Sequence, residues 1–308
     1  MIEATDVHKR YGTVDALDGV SLSLPSGASL GLVGTNGAGK TTLFRLLVGH
    51  ETPDAGAVRV AGVDPADGTA VRERVGYLPE DAGFQPALTG SEVLGYYADM
   101  RGVDAGAARI ETLLSVVGLA DAGDRRVGGY SNGMNRRLGL AVALLGDPDV
   151  LLLDEPTAGL DPTGVSAFNR VVERVREERD VTVVLSTHVL SEVEALCDRV
   201  AVLDDGRLRT VGTVEEVTRA AAEAVTVTAR YDDAVALAAA TESVRAAVDA
   251  ASVSVDETDR ELELTVEEAV TTDALGAVVE TDPASVGVDE PDLESAVREA
   301  VAPGGGER

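Results

Sequence analysis

Lysine is nearly missing from this sequence: of 26 basic residues, only Lys9 and Lys40 are lysines. Cysteine occurs once, as Cys197. No disulfide can therefore form within the chain, which fits a reducing compartment and leaves Cys197 as a small packed hydrophobe. No apolar run approaches the roughly 18 residues needed to cross a bilayer, since the greasiest stretches, 140–145 and 150–153, are interrupted within a few residues. The start, Met1-Ile2-Glu3, lacks the basic-then-apolar pattern of a secretory leader, so the expected location is the cytoplasm. What abounds is acid: 54 acidic residues against 26 basic ones give a formal net charge of −28. The acids are spread along the whole chain, which excludes a single acidic interaction tail. A nucleic-acid binder is excluded as well, because its affinity would rest on basic patches. Dense like charge on an arginine-rich, lysine-poor surface is tolerable where salt screens it within a few Å, so a halophilic origin is expected. With 308 residues, 44% of them hydrophobic, the chain can build one large α/β domain and a small second one.

Strand and helix signals alternate in the first part. Val20-Ser21-Leu22-Ser23-Leu24 alternates apolar and polar residues like a half-buried strand. Leu30–Val33 is a short apolar strand running into glycines, and helical periodicity follows over Lys40–Val48 until Gly49. Strands are expected at 74–78, 150–153 and 181–185, the last two buried on both faces. Helical patterns cover about 91–118, the stretch from Ser131 to Gly146, and 163–178. Such alternation predicts a mostly parallel sheet covered by helices. From about residue 223 the pattern changes: alternating Val225, Val227 and Ala229, a helix over 232–248, alternating Leu262, Leu264 and Val266, a helix over 267–279 and a short strand at 285–288. The order predicts a small βαββαβ domain over 223–302, after a first domain at 1–222 and before a flexible tail at 303–308.

Gly34-Thr35-Asn36-Gly37-Ala38-Gly39-Lys40-Thr41 matches the phosphate loop G-x-x-x-x-G-K-[ST], with a strand before it and a helix after it. Its glycines let backbone N–H groups curl toward phosphate oxygens, and the following helix presents its positive end to the same anions. Gly34, Asn36, Gly37, Ala38, Gly39, Lys40, Thr41 and the adjacent Thr42 are the expected nucleotide contacts. Lys40 supplies charge to the β- and γ-phosphates, and the Thr41 hydroxyl is a Mg²⁺ ligand. That one of two lysines stands here argues for a chemical need. A buried strand, Leu151-Leu152-Leu153, then delivers Asp154 and Glu155 at its carboxyl end, where ligands bind in such sheets. Asp154 is the candidate holder of Mg²⁺, and Glu155 the general base that polarises the attacking water.

These two motifs fit any phosphate-loop ATPase. Tyr130-Ser131-Asn132-Gly133-Met134, about twenty residues before Asp154, narrows the field. Here the chain resembles the ATP-binding subunits of ABC transporters, whose signature loop sits in this position. Ala158-Gly159-Leu160-Asp161 resembles the family's subunit-contact loop, and His188 in Ser186-Thr187-His188 matches its switch histidine. Tyr11 in Lys9-Arg10-Tyr11-Gly12 matches its adenine-stacking aromatic. The resemblance covers about residues 1–220. It implies a phosphate-loop fold of ABC type, with a mostly parallel sheet, an antiparallel β part and a helical subdomain, plus the small C-terminal α+β domain. It further implies a homodimer around two ATP molecules, in which Ser131 and Gly133 bind the γ-phosphate held by the other subunit. The partner it implies is a separate integral membrane permease, which would hold this spanless chain to the inner face of the membrane. The family docks its permease against the segment 81–100, where Phe84, Pro86 and Leu88 are candidate contacts.

Two positions depart from the family pattern. Asn132 replaces a signature glycine; asparagine tolerates positive φ better than other side chains. Glu80, in Gly76-Tyr77-Leu78-Pro79-Glu80, stands where a glutamine usually touches Mg²⁺; a carboxylate can still ligate the ion. Glu290-Pro291-Asp292-Leu293-Glu294 resembles the ending of ATPases of ABC-2-type exporters. Within that group, 76–90 and 130–146 look most like the copper-linked type that serves nitrous oxide reductase maturation. An importer subunit and a non-transport ABC ATPase acting on a soluble partner stay open. A metabolic kinase would need neither signature loop nor switch histidine.

Overall fold

In the computed structural model, which describes residues 1–221, 225–248, 252–256, 258–266, 271–289 and 292–301, the chain divides into two units, Met1–Val214 and Glu215–Arg308. The expected domain boundary at 222/223, the tail 303–308, residues 267–270 and the pair Glu290-Pro291 lie outside the described residues.

The first unit runs β1 (Ile2–Tyr11), β2 (Val14–Leu24), β3 (Ser29–Val33), α1 (Lys40–Leu47), β4 (Ala55–Val60), α2 (Thr69–Arg74), β5 (Val75–Leu78), α3 (Gly90–Arg101), α4 (Ala107–Val116), α5 (Asn132–Ala143), β6 (Val150–Asp154), α6 (Pro162–Glu178), β7 (Thr182–Thr187), α7 (Leu190–Leu196), β8 (Arg199–Asp204) and β9 (Arg207–Thr213). An antiparallel sheet has the order β2-β1-β4. Val20, Leu22 and Leu24 of β2 turn inward and Ser21 and Ser23 outward, as strand alternation requires. The larger sheet has the order β5-β6-β7-β3-β8-β9. All its pairs are parallel except β8–β9. Every residue of β3, β6 and β7 is buried, which is why each is built round a short apolar stretch, Leu30–Val33, Val150–Leu153 and Val183–Leu185.

The pairing order does the positioning. With β5, β6, β7 and β3 parallel and adjacent, their carboxyl ends open onto one edge. The segments that follow them carry Glu80, Glu155, His188 and the phosphate loop.

The stretch 91–118, expected as mostly helical, is two helices. Thr89 and Glu92 form a capping box that starts α3, and Gly102 at φ 66° ends it in a left-handed cap.

The second unit contains α8 (Val214–Ala221) from its second residue on, followed by β10 (Val225–Arg230), α9 (Ala234–Ala247), β11 (Ser252–Asp256), β12 (Glu261–Val266), α10 (Thr271–Val279), β13 (Ser285–Asp289) and α11 (Leu293–Val301). From β10 to β13 the order is βαββαβ, and the antiparallel sheet β11-β12-β10-β13 is that of a split-βαβ fold. Val227 and Ala229, Leu262 and Leu264, and Leu237, Val244 and Val278 from α9 and α10 share its core.

Truncating the middle of β6 should be costly, because Leu152 is fully buried within the core of the first unit. Leu152→Ala is expected to lower stability by about 2–5 kcal/mol, read as a fall in the chemical-denaturation midpoint of the full chain.

Candidate active site

The phosphate loop is a backbone fitted too tightly for side chains. Gly37 and Gly39 adopt φ of 89° and 108°, a region disfavoured for any other residue. A Cβ on Gly34 would stand 2.2 Å from the carbonyl oxygen of Leu203, and one on Gly39 2.4 Å from that of Ala16. Gly39 caps α1 without any side-chain hydrogen bond. The first N–H groups of that helix therefore have no partner within it, the arrangement that suits an anion. Lys40 is only 6% exposed. Its Nζ donates to the carbonyls of Gly34 at 2.7 Å and Thr35 at 3.2 Å, and pairs with Glu155 Oε1 at 3.6 Å.

The acids at the end of β6 are held as firmly. Asp154, buried, accepts from the Ser186 hydroxyl at 2.6 Å and from the Tyr77 hydroxyl at 3.2 Å. Burial and the Asp154 carboxylate push the Tyr77 phenol well above its ordinary range, so it stays protonated and remains a donor. Glu155 stands in the left-handed region at φ 42°, which costs energy in a non-glycine residue. Its N–H meets both the carbonyl and the hydroxyl of Ser186, at 3.1 and 3.0 Å. This conformation sets its carboxylate between Lys40 and His188, whose Nδ1 lies 2.9 Å from Oε2. An ionised carboxylate only accepts, so opposite it Nδ1 carries the proton.

A cavity of about 400 Å³ opens over these groups, lined by Asn36, Gly37, Gly39, Lys40, Thr41, Thr42, Glu80, Glu155 and His188, with Val14, Ala16, Thr35 and Ala158. Gly34, Ala38 and Asp154 are buried and do not line it. Tyr11 closes β1, with its ring half exposed, its hydroxyl on Glu51 and Lys9 Nζ 5.7 Å from the ring centre; it is not on the wall. Ser131 and Gly133 are not there either. Ser131 caps α5 by accepting from Met134 N–H at 3.2 Å. Asn132 is the first residue of that helix and does not have positive φ, so the loop makes no use of its tolerance for left-handed backbone.

The chain resembles known proteins over the same region. A family model described as ABC transporter matches residues 17–158. The Nod factor export ATP-binding protein I of Burkholderia orbicola is 42% identical over 211 residues, a stretch covering 67% of this chain and 68% of that protein. The chain belongs to the ABC transporter family. A solved ATP binding subunit of an ABC transporter superposes on this member with a TM-score of 0.64 at 29% identity, covering 71% of this chain and 92% of its own. A dimeric ATP-binding cassette in a post-hydrolysis state with ADP and Pi superposes at 0.63 and 23%, covering 69% and 98%, a likeness of fold.

As an ABC ATPase, the chain binds ATP and couples its hydrolysis to transport. Two residues of its site escape motif reading: Ser186, which ties Asp154 to the N–H of Glu155, and Tyr77. The signal for Ser186 is register, since it pairs with Asp154 across β6 and β7.

In this ABC ATPase, Gly39→Ala forces a methyl group onto the Ala16 carbonyl at a left-handed position. ATP affinity is expected to fall about a hundredfold or more, roughly 3 kcal/mol, in a titration with a fluorescent ATP analogue, while the thermal melt stays cooperative.

Proposed function

We propose that the chain is the engine of an exporter, working as a homodimer that closes around two Mg-ATP molecules and opens after hydrolysis. What supports this is a complete set of catalytic groups, Lys40, Glu155 and His188, within one cavity wall, while Ser131 and Gly133, the family's γ-phosphate contacts, stand outside it. A second subunit supplies that missing half in the family's arrangement, and the dimeric cassette of similar fold agrees with it.

In this reading Lys40 carries positive charge to the phosphates, and N–H groups at the start of α1 hold their oxygens. Glu155 polarises the attacking water. His188 holds the Glu155 carboxylate and senses the γ-phosphate, and Tyr11 stacks on adenine. Mg²⁺ fits the donors present: the Thr41 hydroxyl and Glu80 carboxylate on the wall, with the buried Asp154 acting through water. Among the described residues no three acidic, histidine or cysteine side chains form a cage for a metal ion. That agrees with an ion held by one or two carboxylates and substrate phosphates, which neutralises charge on the leaving group.

The partner is a separate membrane permease, as for the ATP-binding subunits of this family; no helix among the described residues is itself long and apolar enough to cross a membrane. Its docking place in this reading is a groove of about 250 Å³ whose lining includes Tyr77, Leu78, Pro79, Asp81, Phe84 and Tyr97; of the three contacts expected from the sequence, Phe84 lines it and Pro86 and Leu88 do not. Pro79 and Asp81 flank Glu80 of the nucleotide cavity. The subunit then lies on the inner face of the membrane. Export agrees with the relative named for Nod factor export. The stretches 76–90 and 130–146 make a transporter linked to nitrous oxide reductase maturation the first cargo class to test. The charge of −28 with two lysines supports a salt-rich cytoplasm.

Glu155→Gln should still bind ATP and elute as an ATP-dependent dimer in high salt, with turnover down by about 10²–10⁴. Normal turnover would remove Glu155 from its role. A multi-span permease co-purifying with the parent chain from native membranes supports transport; recovery only with a soluble partner overturns the exporter reading.

A further inference from the structure

Glu192 is a carboxyl residue that the site description leaves unused. It lies on α7 and is 2% exposed, an expensive place for an ionisable group. No ion pair with a basic side chain compensates it among the described residues. Its two oxygens instead take two hydroxyls: Thr157 donates to Oε1, and Thr187 donates to Oε2 at 3.0 Å. Thr187 is bound on its other side too, since its Oγ1 accepts from the N–H of Val189 at 3.0 Å.

The simplest account of Glu192 is its place as third residue of α7, where an acid suits the helix dipole. That explains an acid near a helix start. It does not explain burial, nor why both oxygens turn away from the helix's own N–H groups to threonines on two other segments. Those segments are the informative part. Thr157 lies two residues after Glu155, at the head of the turn closed by Leu160 N–H on the Thr157 carbonyl at 3.0 Å. Thr187 immediately precedes His188. The two side chains that meet at 2.9 Å over the cavity thus belong to loops clipped together underneath by one carboxyl group. Glu155 needs such a clip, because it sits in the left-handed region and relaxes unless its surroundings over-determine it.

We infer that Glu192 is a positioning residue for hydrolysis: it clasps the loops of Glu155 and His188 so that their side chains meet in one fixed geometry. The inference rests on the roles proposed above for those two residues. It adds that the clasp depends on two acceptor oxygens, and not on the shape of the side chain alone. Glutamine keeps the shape but offers one acceptor and one donor group, so one threonine loses its acceptor. Valine at 187 removes the hydroxyl while keeping the branch.

The test is steady-state ATP hydrolysis by the full chain in high salt, with thermal melts of every variant. For Glu192→Gln, kcat is expected to fall about tenfold to a hundredfold, the range a small misplacement of a catalytic group produces, with KM for ATP within about twofold of the parent. Thr187→Val should match it, and Thr187→Ser, which restores the hydroxyl, should turn over several-fold faster than Thr187→Val. The double variant Glu192→Gln with Thr187→Val should be no slower than the worse single one, because both cut the same tie. Parental kcat in Glu192→Gln overturns the inference. So does a rise in KM alone, losses that multiply in the double variant, or a lower melting temperature with unchanged kcat of the folded protein. A Glu155→Gln control separates the two levels. If it turns over normally, the reading of the site fails; if it is inactive beside an unimpaired Glu192→Gln, only the clasp fails.

Discussion

At the end of β6 the chain turns left-handed at a nearly buried glutamate, and its N–H, shared between the carbonyl and hydroxyl of Ser186, holds the turn. The same hydroxyl donates to Asp154, so one serine on β7 fixes both acids in succession. Relaxed to an extended backbone, Glu155 would project from a face of the sheet as strand residues do, and the present meeting with Lys40 and His188 would be lost. The cavity chemistry therefore depends on β6 and β7 being paired in this register, and that register on the burial of every residue in both strands. Packing in the first unit is thus part of the catalytic geometry.

Charge plays a different part. The surface ion pairs among the described residues are made largely by arginine, two of them through two nitrogens on one oxygen: Arg207 grips Asp18 Oδ2 with both Nε and Nη2, and Arg209 holds Asp204 Oδ2 in the same way. The planar guanidinium keeps such a grip at lower entropic cost than a lysine ammonium. Exposed pairs of this kind each contribute little, about 0–1 kcal/mol, and with 54 acids against 26 bases one-to-one pairing would leave more than half of the carboxylates over. The burden of stability falls on the two apolar cores. The lysine in the phosphate loop stands apart from this pattern: it is buried and binds the Gly34 and Thr35 carbonyls beside Glu155.

Much of this was legible in the sequence for a physical reason. The phosphate loop, the acids after a buried run and the histidine after another are local, and parallel strands buried on both faces announce themselves as apolar runs. The strands β1, β4, β8 and β9 were not assigned from the sequence. β1, β4 and β9 carry mixed polar and apolar residues, as Arg207-Leu208-Arg209-Thr210 does, and form only where a partner strand supplies the other half of the pattern; in β8 only Val200–Leu203 is apolar, a run of four too short to tell strand from helix. The break at Gly102 was passed over although Val103, Asp104 and Gly106 are poor helix formers, because the helical pattern resumes at Ala107. Ser186 and Glu192 were invisible as functional groups because what they do is set by residues about thirty-five positions away or less, brought near only by strand order. Asn132 teaches the converse. Its tolerance for left-handed backbone was a sound property of the residue, applied to a position that is simply helical.

Glu80 has one more consequence. Pro79 and Asp81 line the groove between β5 and α3, and Glu80 between them lines the nucleotide cavity. Consecutive Cα atoms are fixed at about 3.8 Å by the planar peptide, so three successive residues cannot answer to two surfaces independently. A sideways step of Pro79 and Asp81 would have to be absorbed within the two soft dihedrals of Glu80 or carried over to its side chain. With Arg136 of α5 donating to the Pro79 carbonyl at 3.0 Å, the stretch also reaches the helix that begins at the signature loop. A single stretch of three residues thus belongs at once to the groove, to the cavity over the phosphate loop and, through Arg136, to α5.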